Sequence, residues 1–226
     1  MNTEPYYELY ISRTKLIRCL IAAVAALLAV HITLQVWHYR WHELPWLLLW
    51  FFDVDKEDSL PTWYSTITLL LASVLLLLIA QRKRADRDPW FRYWYGLSLT
   101  FAALSMDEAA GVHETLNTAL DISWELVGGA AAAWFGLAYL RFLRHLPART
   151  GWLFVVSGCV FVGGAVGVEW STDWYEEQQL MDTLSYNLWN AVEEGLEMAG
   201  VVLFIYALLG YMGRGQGARV DVIVEG

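Results

Sequence analysis

Three glutamates stand inside the last long apolar run of the chain. They are Glu193, Glu194 and Glu197, in the stretch Asn190–Glu197 (NAVEEGLE). At about 100° per residue they crowd, with Asn190, onto one side of a helix. A carboxylate near the middle of a bilayer costs at least about 2.5 kcal/mol to insert. Several on one face also repel one another, so they must be protonated, hydrated, paired with a base or bound to metal. Basic residues are nearly absent from the sequence on the same side, which makes pairing the weakest option. Two further stretches are rich in acids. Ser105–Glu114 (SMDEAAGVHE) supplies Asp107, Glu108, His113 and Glu114, and Glu169–Glu177 (EWSTDWYEE) supplies Glu169 and Asp173.

Imidazole together with carboxylate suits Zn²⁺, Mn²⁺ or Fe²⁺, whereas carboxylate alone would suit Ca²⁺ or Mg²⁺. The expected cofactor is therefore a divalent metal ion, with Zn, Mn or Fe ahead of Ca or Mg. Its expected ligands are Asp107, Glu108, His113, Glu114, Glu193, Glu194 and Glu197, with Glu194 and Glu114 as catalytic acid or base. Glu169, Asp173, His31 and Asn190 are expected to support them from behind. His31 on its own reads more readily as a satisfied core histidine than as a ligand. His38 and His42, set among tryptophans, read as interfacial. The run Asp53–Asp58 reads as a solvated loop leading to a helix cap; it lacks the glycine and the bidentate glutamate of a calcium loop.

Other chemistries are missing from the sequence. There is no G-x-S-x-G elbow, no phosphate-binding glycine loop, no H-E-x-x-H and no pair of Glu-x-x-His motifs. No lysine falls inside an apolar run, which excludes a retinal Schiff base. Cys19 and Cys159 both lie in apolar runs and read as buried thiols rather than a disulfide or a metal pair.

The elements that must position these residues are membrane helices. Of 226 residues, 57% are hydrophobic and only 17% are charged, against about 25% charged in an ordinary soluble domain. Six segments approach the roughly 20 apolar residues a crossing needs: 19–37, 60–80, 90–106, 122–143, 151–168 and 188–212. The expected fold is thus an all-α bundle of six transmembrane helices forming one domain over 1–212, with a mobile cytoplasmic tail over 213–226. Apolarity is continuous rather than alternating, which argues against a barrel.

Orientation follows from the basic residues. Arg13, Lys15 and Arg18 precede the first run, and Arg82, Lys83, Arg84, Arg87 and Arg92 separate the second from the third. Arg141, Arg144 and Arg149 separate the fourth from the fifth, and Arg214 and Arg219 follow the sixth. Only Arg40 and Lys56 fall on the other side. Both termini are therefore expected in the cytoplasm of a cell membrane, a prokaryotic inner membrane, with the acidic side facing the periplasm. Most of the 24 acidic residues lie on that outer side, an excess that the positive-inside rule does not require.

The functional expectation is an outward-facing intramembrane site that binds a divalent metal, in a metal-dependent enzyme acting on a lipid-like substrate. The same acids would alternatively form the cation or proton pathway of a transporter or channel. A third reading is a structural subunit of a larger membrane complex. Partners are membrane lipids and not nucleic acid, given a net charge of -9. Gly128, Gly129 and Ala130–Ala133 in the fourth run, and Gly163, Gly164 and Gly167 in the fifth, offer faces for close helix contact or oligomerisation.

Overall fold

The structure is a computed structural model that describes residues 7–10, 12–112, 124–213 and 219–222. Helix α1 spans Arg13–Arg40, α2 Trp46–Phe51, α3 Leu60–Ala85 and α4 Phe91–Ala110. Helix α5 spans Trp124–His145 and α6 spans Ala148–Val162. A π-helical segment, Gly163–Val168, runs from α6 into α7, Glu169–Glu177, and α8 spans Leu184–Met212. Strands β1, Tyr7–Tyr10, and β2, Arg219–Val222, pair antiparallel, so the two ends of the chain meet.

Local chemistry sets the helix ends. The Ser59 hydroxyl accepts from the Thr62 amide, with Pro61 in the first turn of α3, as the sequence predicts. Ser12 and Thr183 cap α1 and α8 in the same way. Gly111 ends α4 in the left-handed region at φ 57°, where a side chain would be strained. A side chain there would also run into the Glu57 carboxylate.

Among the described residues, five helices are long and apolar enough to cross a membrane: Arg13–Arg40, Leu60–Ala85, Leu126–His145, Ala148–Thr172 and Leu184–Met212. The third expected crossing corresponds to α4, which is not among them. At 20 residues it is about 30 Å long, so length does not set it apart. Its composition does, because tyrosines, serines, Asp107 and Glu108 dilute the leucines. Helix α4 packs along α3 through a polar seam. Ser73 Oγ donates to the Ser98 carbonyl at 2.8 Å, Ser98 Oγ donates to the Ser73 carbonyl at 2.9 Å, and Ser105 Oγ donates to the Thr66 carbonyl at 2.9 Å.

The helices share a basic end and an acidic end. At the basic end Arg13 at the start of α1 lies over Tyr206 near the end of α8. There Lys83 from the end of α3 faces Tyr211, and Trp90 before α4 stacks on His145 at the end of α5. The buried apolar core sits in this half, around Leu76, Trp94, Phe142, Phe154, Ile205 and Leu208. Phe101 and Phe204 stack with centroids 4.6 Å apart. Large apolar side chains such as Leu126, Leu137 and Trp152 point outward from the bundle, as helices solvated by lipid tails require.

Candidate functional site

The acidic half is held together by polar contacts between distant parts of the chain. Helix α8 enters it at Leu184, and the rise of a helix places Glu193 about 14 Å and Glu197 about 20 Å along its axis. Glu193, Glu194 and Glu197 are half-buried. Glu194 interacts electrostatically with Glu197, with Glu193, with Glu108 in the last turn of α4 and with Asp55 in the loop before α3. Glu197 interacts in the same way with Glu108, Glu193 and Glu169, the first residue of α7. Neither Glu194 nor Glu197 forms an ion pair with a basic residue among the described residues.

The π-helical segment brings backbone against this face of α8. A Cβ on Gly164 would fall 2.7 Å from the Glu193 carbonyl oxygen and 3.0 Å from Glu197 Cγ. Only glycine permits that approach. Gly163 and Gly167 in the same segment meet nothing within 4 Å. A π turn inside a helix shifts the residues that follow it relative to an unbroken α-helix, and here those residues begin with Glu169.

Asn190, one turn before the glutamates, is 3% exposed. Its side-chain amide nitrogen is buried without a hydrogen-bond partner among the described residues. Such an unmet donor costs on the order of 1–3 kcal/mol. Asp107 is half-buried beside Glu108 on α4. His113 and Glu114 lie outside the described residues, and so does the side chain of Asp173. Among the described residues, no three His, Cys, Asp or Glu side chains are placed to hold a metal ion.

His31 is 1% exposed, and its ring nitrogens engage backbone. Nε2 is 3.2 Å from the Asn187 carbonyl, while Nδ1 is 3.3 Å from both the Phe52 carbonyl and the Val54 amide. The Nε2–H tautomer lets the ring donate to Asn187 and accept from Val54. The Asp53 carboxylate stands 3.7 Å from Nδ1. His31 thus ties α1 to the loop before α3 and to the first turn of α8. Nearby, Tyr39 donates to Asp182 at 2.6 Å, a second tie between α1 and the approach to α8. His38 Nδ1 accepts from the Leu44 amide at 3.0 Å, which occupies it at the turn after α1.

The loop Asp53–Asp58 corrects the expectation of a solvated run. It does end in the Ser59 cap, but Val54 is buried and Asp53, Asp55 and Glu57 are half-buried. The loop folds over the acidic end, with Asp53 at His31, Asp55 within range of Glu194 and Glu57 against Gly111. An apolar Val54 within the acidic run was the one signal of this in the sequence.

With this geometry in place, comparison with known proteins supplies a family. Residues 19–211 match the model of the domain of unknown function DUF8692. The chain belongs to the DUF8692 family. That match starts in α1 and ends in α8, so the DUF8692 domain includes every acidic element described above and leaves out the β1–β2 pair. No curated protein and no solved structure matches the chain.

Proposed function

We propose that this DUF8692 protein crosses the membrane six times with both termini in the cytoplasm, and that its opposite end holds an intramembrane site for a divalent cation. The observation that carries the cation reading is the mutual interaction of Glu108, Glu193, Glu194 and Glu197 from two helices, with no basic partner for Glu194 or Glu197 among the described residues. Carboxylates held together below headgroup level need a compensating cation or proton. Zn²⁺, Mn²⁺ and Fe²⁺ are the metals of choice, because His113 and Glu114 are the further ligands expected from the sequence. A metal there would polarise an ester or amide oxygen and activate water, so hydrolysis of a lipid-like substrate is the chemistry to assay.

Six crossings are supported by the pairing of β1 with β2. Ends that pair lie on one side, which favours an even number of crossings, and α4 is the candidate for the sixth. The arginines and lysines at the basic end support a cytoplasmic assignment for that side.

Elemental analysis of protein purified in detergent after growth with supplemented metal tests the cation reading. Near-stoichiometric Zn, Mn or Fe that falls in Glu194→Ala is expected. Metal at background level in the unsubstituted protein would remove it. A transport reading is favoured by one observation, the lack of a three-ligand metal arrangement among the described residues. Interacting carboxylates without coordination geometry suit a proton or a hydrated cation. Flux into proteoliposomes that is lost in Glu197→Gln, from protein without bound metal, would establish that reading instead.

A further inference from the structure

We propose that the basic end of the bundle carries a binding site for a phosphate-ester anion, formed by Arg13, Arg149 and Tyr206. Two guanidinium groups converge on one tyrosine. The Arg13 guanidinium carbon lies 3.8 Å from the centre of the Tyr206 ring, and Arg149 Nη2 donates to the Tyr206 hydroxyl at 3.3 Å. Neither arginine has a carboxylate partner among the described residues. Stacking on the ring face offsets part of the Arg13 charge, and among the described residues its buried Nε–H has no acceptor. An arginine held in this way presents a donor fork whose natural complement is a phosphate.

The surroundings add to the same charge. Arg13 is the first residue of α1 and Arg149 is the second residue of α6, so two helix N-termini direct partial positive charge into this corner. A bridging anion would also relieve repulsion between the two guanidinium groups. Gly210 makes room for the arrangement, since a Cβ there would come within 2.8 Å of Arg13 Nη2. Depth bears on the source of the anion. Tyr206 is six residues from the end of α8, or about 9 Å along its axis. That places the site near the boundary between hydrocarbon and headgroups, where phospholipid phosphates lie.

Native mass spectrometry of the full chain in detergent tests the proposal, with phosphatidylglycerol, phosphatidylcholine and inorganic phosphate as separate probes. Phosphatidylglycerol retained in preference to phosphatidylcholine is expected. Affinity should fall about fivefold for each of Arg13→Gln and Arg149→Gln, the equivalent of roughly 1 kcal/mol per arginine. Gly210→Ala keeps both charges and displaces the Arg13 guanidinium, so it should weaken binding as well. Inorganic phosphate that binds with the same sensitivity to these variants would identify a soluble anion as the occupant. Binding of phosphatidylglycerol that is equal in all three variants and the unsubstituted protein would overturn the site, as would equal retention of phosphatidylcholine.

Discussion

Gly164 shows how closely one residue type is specified. Alanine there would press its Cβ onto the Glu193 carbonyl and Glu197 Cγ, and both are main-chain or near main-chain atoms of a packed helix. Gly164→Ala is therefore expected to cost about 1–3 kcal/mol. Gly163→Ala and Gly167→Ala, which meet open space, are expected to be neutral or stabilising by up to about 1 kcal/mol. Thermal unfolding in detergent separates the three, and equal effects would refute the close approach. Asp88 offers a pH test outside the membrane-spanning segments. Burial pushes its carboxyl up, but the Lys83 hydrogen bond at 2.9 Å and the Trp90 amide outweigh that and hold it below the usual value. The stabilisation is then fully present above the unfolded pKa of about 3.9 and is lost as pH falls through the lower folded value. Unsubstituted protein should be more stable than Asp88→Asn at neutral pH, and the difference in melting temperature should vanish in strong acid.

At the scale of elements, the α3–α4 pair combines a hydroxyl seam with residues of the apolar core. Ser73 and Ser98 each donate to the other's carbonyl. In membrane proteins such bonds average about 0.6 kcal/mol, with a maximum near 1.7. Ser73→Ala and Ser98→Ala each delete one of these bonds, so each alone should lower stability by an amount within that range, read by unfolding in detergent. No loss in either variant would mean that the seam contributes shape alone. The long helices could be read from continuous apolarity, and the Ser59 cap with Pro61 from local chemistry. The π-helical segment could not, because a glycine-rich run announces close approach without saying which hydrogen-bond pattern the backbone takes. Nor could the contacts of His31 be read, since its partners include Asn187, 156 positions away.

At the scale of the whole molecule, charge distribution predicts the topology and packing divides the bundle in two. Aromatic and leucine side chains fill the basic half, while carboxylates, Asn190 and His31 occupy the acidic half. The sequence made the α8 glutamates stand out through their depth in an apolar run. It did not reveal that Asp55 comes within electrostatic range of Glu194, because a loop's inward fold depends on tertiary contacts such as that of buried Val54. Labelling single cysteines in intact cells with an impermeant thiol reagent checks the number of crossings, in a background with Cys19 and Cys159 replaced. His42→Cys should label from outside, whereas Arg87→Cys and Arg144→Cys should not. External labelling at position 144 alone of the last two would mean that α4 does not cross.

Everything functional turns on whether the carboxylates of α4 and α8 hold a cation. Calorimetric titration of the purified, metal-stripped protein with Zn²⁺ or Mn²⁺ near neutral pH addresses that directly. Saturable binding of about one ion per chain is predicted, weakened at least about tenfold, or 1.4 kcal/mol, in both Glu194→Gln and Glu197→Gln. Binding that is absent from the unsubstituted protein, or unchanged in the two variants, would contradict it.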